Sequence, residues 1–361
     1  MRLPLVKLNA AITDGHSVMP NVGKYPETVL SGRLIRVPFT TGVVDDTVVV
    51  MHTDSGFAER SGIHKGSRIL AVNGVPVRRL VDSLTAWMSD PREVMKQYYI
   101  TRSGMLSLVL AKGDSLAVTF ESAGKPKTFA MQYGNKEMMD YLQVAGRAWR
   151  AQAELAKQRP ADPAMRMLEG DILLIDPSKW TGTMADSTRR LLSKAKALII
   201  ECRTYPNFDF INFSDILFEN KTTCILWNGS VSYPGLTRAV AYSRGPDPEM
   251  HFKGPVIALI SERSLSRPEM LTMIVKARGG NTKLIGRTTA GADGDVTQIP
   301  MVGNQSMRFV ISGLGVLYPD GGYTQGVGIA PDIEVPNSID ELISEKDVIL
   351  DRALQYLGTL R

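Results

Sequence analysis

Ser266 stands where a hydroxyl could act as a nucleophile. The stretch around it reads Gly254-Pro-Val-Ile-Ala-Leu-Ile-Ser-Glu-Arg-Ser-Leu-Ser266-Arg-Pro-Glu-Met. The apolar run 256–260 predicts a buried strand. A short polar loop follows, then a helix whose apolar period runs through Met270, Met273 and Ile274. Ser266 therefore falls just ahead of a helix N-terminus, where unpaired backbone N–H groups and the helix dipole favour negative charge. A serine so placed can attack a carbonyl while a neighbouring N–H holds the oxyanion. It can also be an N-cap and nothing more, with Glu269 completing a capping box and Pro268 in the first turn, and caps far outnumber nucleophiles. The stretch alone leaves both readings open.

A serine nucleophile needs a base, and neutral imidazole is the side chain best matched to taking a serine proton near neutral pH. The chain has four histidines. His16 sits in the turn signal Thr13-Asp-Gly-His-Ser. His52, His64 and His251 are isolated, and none forms a metal-ligand spacing with Asp, Glu or Cys, so neither a metal nor another cofactor is expected.

The elements that must position these groups follow from length and pattern. At 361 residues two or three domains are expected, and 43% apolar content suffices for sizeable cores. Lys plus Arg number 42 against 37 Asp plus Glu, a net +5 that is small for the length. No basic block is interleaved with aromatics, so nucleic acid is not expected as a partner. No apolar run is long enough to span a bilayer, and the N-terminal residues do not read as a signal peptide. Cys202 and Cys224 lie in apolar strand-like runs and read as small buried hydrophobes.

Residues 1–30 read as a helical lead-in that carries His16. Residues 31–134 read as a β-rich unit, with strand-like runs at 34–37, 47–51, 68–72, 107–110, 116–121 and 128–132. Turn signals fall at Asn73-Gly74 and Lys112-Gly-Asp. Residues 135–168 read as a helix and a linker. From 169 to 361 strands and helices alternate, with strands at 172–175, 197–202, 224–227, 256–260 and 283–286. Helices are expected at 183–194, 210–217 and 268–278. This alternation predicts an α/β layered domain, and runs such as Ala197-Leu-Ile-Ile fit strands covered on both faces.

The first unit resembles a PDZ domain. The resemblance lies in Ser55-Gly-Phe-Ala-Glu-Arg-Ser-Gly62-Ile-His-Lys-Gly66-Ser-Arg-Ile-Leu-Ala-Val72-Asn-Gly74. Ala58 and Gly62 let a short helix approach the sheet, and Asn73-Gly74 suits a tight turn. The family adds peptide strands to a sheet edge and captures C-terminal carboxylates. Residues 79–104 are longer than the usual connection there.

The second unit resembles the catalytic domain of S41 serine peptidases, the clan of tail-specific proteases and the tricorn core. Four separated segments carry the resemblance: Ala197 to Asn207, with Arg203-Thr-Tyr-Pro206; Ser264-Leu-Ser266-Arg-Pro-Glu269; Leu284-Ile-Gly286 through Gly291 to Gly294; and Tyr318-Pro-Asp-Gly321 with Gly328-Ile-Ala-Pro-Asp-Ile-Glu-Val335. The resemblance implies an α/β catalytic domain with ClpP/crotonase-like layering behind a PDZ-like β-rich domain. It implies that Ser266 is the nucleophile. The base lysine of the tail-specific branch is missing at Gly291-Ala292, and the tricorn-like branch implies His16 instead. Gln325 stands where that branch has an orienting glutamate. An amide can hold the ring but cannot stabilise imidazolium as a carboxylate does. The implied oxyanion donors are the backbone N–H groups of Arg267 and Asn207.

Two functions are compatible with these residues. One is a serine peptidase that cleaves peptides or unfolded proteins, recognises their free C-termini through the PDZ-like unit, and is exported to the periplasm as the resemblance implies. The other is a peptidase-derived protein that binds peptides or other ligands without turnover.

Overall fold

The structure is a computed structural model. It describes residues 7–17, 39–103 except 45, 115–132 except 123, the isolated positions 136, 139, 140 and 143, 163–230, and 236–360 except 302 and 345. The strand-like runs 34–37 and 107–110 and most of the predicted helix and linker at 135–168 lie outside the described residues.

The first unit comprises β1 (Phe39–Val44), β2 (Thr47–Thr53), α1 (Ser55–Ser61), β3 (Arg68–Val72) and β4 (Val75–Pro76), then α2 (Val77–Thr85), α3 (Glu93–Ser103), β5 (Ser115–Ser122) and β6 (Lys125–Gln132). Its antiparallel sheet has the order β1-β2-β3-β5-β6, with β4 beside β3. Asp54 caps α1 by accepting the Phe57 N–H at 2.9 Å, and Gly62 ends the helix at φ 74°. Asn73 and Gly74 both take positive φ, as the tight turn between β3 and β4 requires. The Asn73 side chain accepts the Ala117 N–H at 2.7 Å and ties that turn to β5. Phe39, Phe57, Ile63, Leu84, Ile100 and Phe120 fill a core of their own. The long stretch after β4 is helical, and α2 and α3 are joined by a turn at 88–92.

The second unit comprises β7 (Met165–Leu168), β8 (Ile172–Ile175), α4 (Ala185–Leu192), β9 (Ala197–Glu201), α5 (Phe208–Phe213), β10 (Thr222–Ser230), β11 (Thr237–Arg244), β12 (Val256–Ile260) and α6 (Arg267–Ala277). It continues with β13 (Thr282–Gly286), β14 (Val296–Met301), β15 (Asn304–Ser312), β16 (Leu314–Leu317), β17 (Ile333–Glu334), α7 (Ile339–Ser344) and α8 (Val348–Gly358). The main sheet has the order β17-β13-β12-β9-β8-β7. All its pairs are parallel except β7 with β8. The linker reading at 135–168 is therefore corrected at its end: Met165–Leu168 is an edge strand of the main sheet. Its four residues, none of them fully buried, are too few to rise above the polar sequence before it.

Alternation along the central strands explains the layering. Leu173, Leu198, Ile200, Ala258, Ile260 and Leu284 face α6, while Ile172, Ile199, Ile257, Leu259 and Ile285 face α8. Behind α6 lies the antiparallel sheet β11-β10-β16, so α6 is packed between two sheets. Leu271, Met273, Ile274 and Val275 of α6 are at most 1% exposed. Each contributes about 1.5–3 kcal/mol by burial, which fixes the end of the helix that bears Ser266. Cys202 and Cys224 are free and buried, as read from the sequence, and burial pushes the Cys224 thiol up to about 12. Among the described residues no helix is long and apolar enough to cross a membrane.

Candidate active site

Strand β12 ends at Ile260, and a turn closed by the Ser264 N–H on the Ser261 carbonyl at 2.8 Å leads to Ser266. Ser266 takes φ 67° and ψ −123°, a conformation that glycine adopts readily and other L-residues rarely. It caps α6, and Glu269 closes the capping pair by accepting the Ser266 N–H at 3.4 Å. Ser266 is thus both the cap and the residue that the strained turn presents.

The N–H groups around it can be accounted for one by one. Ser266 donates to Glu269, Pro268 has no N–H, and Glu269 and Met270 both donate to the Ser266 carbonyl, at 2.7 and 3.1 Å. Arg267 is left as the helix-end donor with no acceptor among the described residues. That is the place an oxyanion formed at Ser266 would need filled. The Arg267 side chain turns the other way. Its guanidinium lies 3.8 Å from the Phe208 ring centroid and 4.8 Å from that of Tyr205, and donates to the Pro206 carbonyl at 3.1 Å. It holds the loop 205–208 against the start of α6, with both aromatic rings exposed.

The second expected oxyanion donor is corrected. The Asn207 N–H donates to the Pro177 carbonyl at 3.0 Å, and its side-chain amide bonds the carbonyls of Ser178 and Trp180 at 3.1 and 2.9 Å. Asn207 caps α5 at φ −74°, not in the left-handed region. Without the glycines that such a loop uses, residue 207 follows ordinary helix-entry geometry and spends its donors on the 177–180 turn.

Glu269 fastens helix α6 to the loop after β13. Its carboxylate accepts from the Thr289 hydroxyl at 2.5 Å and from the Gly291 and Ala292 N–H groups at 2.8 Å each. Burial pushes this carboxyl up, and those donors pull it back down. Gly291 has φ 76°, and a Cβ there would come within 2.8 Å of the Gly328 nitrogen, so this loop and the 326–328 turn meet backbone to backbone. Asp293, next in the loop, has one buried oxygen with no partner among the described residues. Burial, reinforced by the Glu269 charge, pushes its carboxyl up to about 8.

His16 reaches the same loop from the other end of the chain. A Cβ on Gly15 would come within 2.6 Å of the Ala292 Cβ and 3.1 Å of the Asp90 carboxylate. The His16 segment is therefore wedged between the loop that Glu269 holds and the 88–92 turn of the first unit. The Ser89 hydroxyl donates to the Ser17 carbonyl at 2.9 Å, and the Ser17 hydroxyl donates to Asn9 at 2.9 Å. His16 is 9% exposed. Its Nδ1 lies 2.9 Å from the Ser312 hydroxyl. Gln325 does not act on the ring directly: its amide donates to Asp14 at 3.1 Å and to the Ser312 hydroxyl at 3.2 Å. Asp14 carried no sequence signal beyond a turn, and Ser312 carried none. Among the described residues no group of three or more His, Cys, Asp or Glu could hold a metal ion.

Residues 174–335 match the family model of peptidase family S41. The second unit thus carries a peptidase S41 domain over these residues. The fold is shared with the structure of mature CPAF complexed with lactacystin, at 13% identity, covering 99% of this chain and 88% of that one, with a TM-score of 0.64. A crystal structure of mature CPAF matches at 13% identity, covering 94% and 84%, with a TM-score of 0.60. The photosystem II D1 C-terminal processing protease matches at 14% identity, covering 85% and 74%, with a TM-score of 0.37. No curated protein sequence matches the chain.

Proposed function

We propose that Ser266 is the nucleophile of this serine peptidase, that His16 is its general base, and that the Arg267 N–H is one oxyanion donor. The observation that carries this reading is the Ser266 turn: a serine in a strained conformation at the head of a buried helix, beside the Arg267 N–H, a helix-end donor with no acceptor among the described residues. The reaction is acyl transfer. The Ser266 oxygen bonds to the substrate carbonyl carbon as its proton passes to the His16 ring. The ring then returns that proton to the leaving amine, and water repeats the sequence on the acyl-enzyme. The shared wedge of Gly15, Ala292 and Glu269 supports the convergence of the His16 loop on the Ser266 helix.

The substrates are peptides or unfolded proteins. We read the first unit, 31–134, as PDZ-like and as a recognition module for free C-termini, and the enzyme as an exported, periplasmic processing peptidase. The α1 helix, the Asn73-Gly74 turn and the sheet edge support that reading.

The test is acylation by a serine-directed fluorophosphonate probe. Wild type is expected to be labelled, while Ser266→Ala and His16→Ala are not. Labelling that persists in Ser266→Ala sinks the nucleophile assignment, and a folded wild type that never labels points to a binding protein. A peptide with a free C-terminal carboxylate, compared with its amidated twin, tests the recognition role.

A further inference from the structure

We propose that Asp14, acting through the Ser312 hydroxyl, is the carboxylate that positions His16, in place of the one missing at Gln325. The inference rests on His16 being the base and concerns what holds its ring.

Hydrogen-bond valence makes the case. The Ser312 hydroxyl has one proton to give and two lone pairs. Three groups lie within reach: Asp14 Oδ1 at 2.9 Å, His16 Nδ1 at 2.9 Å and Gln325 Nε2 at 3.2 Å. The Asp14 carboxylate can only accept. It takes the His16 backbone N–H at 2.9 Å, the Ser312 N–H at 2.5 Å and the Gln325 amide at 3.1 Å as well. The hydroxyl proton therefore points at Asp14, and the other two neighbours must donate to the hydroxyl oxygen. For Gln325 this fixes which amide atom faces inward, since its oxygen there would meet the carboxylate. For His16 it fixes the tautomer. Nδ1 carries the proton and Nε2 is the basic nitrogen, the form that can take a proton from a serine. When the ring becomes imidazolium, its charge is met through one hydroxyl by a buried carboxylate. Asp14 and Ser312 are positioning residues, not catalytic ones.

The inference reverses the expectation drawn from family resemblance for Gln325. Restoring a glutamate there would set a second carboxylate beside Asp14 at hydrogen-bond distance. One of the pair would then have to keep a proton, and the Ser312 hydroxyl would be drawn away from the ring.

The experiment uses the full chain, labelled with nitrogen-15 in its four histidines, with the His16 ring assigned by difference against His16→Gln. Ring-nitrogen shifts at neutral pH are expected to show the Nδ1–H tautomer in wild type and a mixture in Asp14→Asn and Ser312→Ala. Acylation by the fluorophosphonate probe should fall by up to about 10⁴-fold in both variants, by analogy with loss of an orienting carboxylate. Ser312→Thr, which keeps the hydroxyl, should restore both readouts. The double variant should be no slower than either single one, and Gln325→Glu should be slower than wild type. An Nε2–H ring in wild type, unchanged acylation in Asp14→Asn, or faster acylation in Gln325→Glu each overturns the proposal. A wild-type ring that is Nδ1–H and scrambles in Asp14→Asn, with no acylation by any form, leaves the positioning in place and removes the peptidase reading instead.

Discussion

The two halves of the proposed site are built in opposite ways. The nucleophile half is one continuous run of chain, from strand β12 through a turn to helix α6, buried between sheets and carrying its strain locally in the Ser266 backbone. The base half is assembled from four distant segments, around Asp14 to Ser17, Ser89 to Arg92, Ser312 and Gln325, held almost wholly by polar contacts. The first half is stiff because apolar packing fixes it. The second is specified by hydrogen-bond valence and tolerates few chemical changes.

The largest expected effect lies in the chemistry itself. Ser266→Ala should lower kcat by ~10⁶-fold where the nucleophile and base act as a unit, with the melting temperature nearly unchanged. A variant that kept measurable turnover of an ester substrate would move the nucleophile elsewhere. Next is the joint between the halves. Glu269→Ala strips the acceptor from the Thr289 hydroxyl and from the Gly291 and Ala292 N–H groups. It should cost about 3 kcal/mol or more in urea unfolding, and acylation should fall too, because the loop against Gly15 is no longer held. Full activity with lost stability would show that the His16 loop is seated independently of α6.

Asp293 sharpens the comparison through pH. Its carboxyl, pushed up to about 8 in the folded state, keeps a proton that an unfolded chain loses near ~3.9. The folded state holds more protons across that interval, so this residue's contribution to stability falls as pH rises from about 4 to about 8 and is flat beyond. Asp293→Asn should flatten that slope and raise stability at pH 8 by about 1–3 kcal/mol, with little change at pH 4. An identical gain at both pH values would refute the buried-proton assignment. The smallest effect tests the strained turn. Ser266→Gly should stabilise the fold by about 1 kcal/mol as the φ 67° conformation relaxes, while abolishing acylation. A loss of stability would mean that capping outweighs strain.

How much could be read beforehand follows the same division. The strand at 256–260, the helix after it and the serine between them were legible because periodicity and turn residues are local signals. So were the Asn73-Gly74 turn and most parallel strands. Strand β7 was missed inside a polar stretch. The hairpin β14–β15 and the short strand β16 have no periodic apolar run to reveal them. Asn207 was misassigned because a family position was carried over where the glycines that give it its conformation are absent. Asp14 and Ser312 were invisible for a deeper reason: their role exists only in the folded pairing, 298 positions apart in the chain.

That separation also sets a timetable. Bringing Asp14 to Ser312 closes nearly the whole chain into one loop, and long-range contacts of this kind form late. During synthesis the serine turn can fold on its helix before residue 312 has been made, but the imidazole has no partner to orient it until then. A growing chain is therefore expected to be inactive until residue 312 has been made.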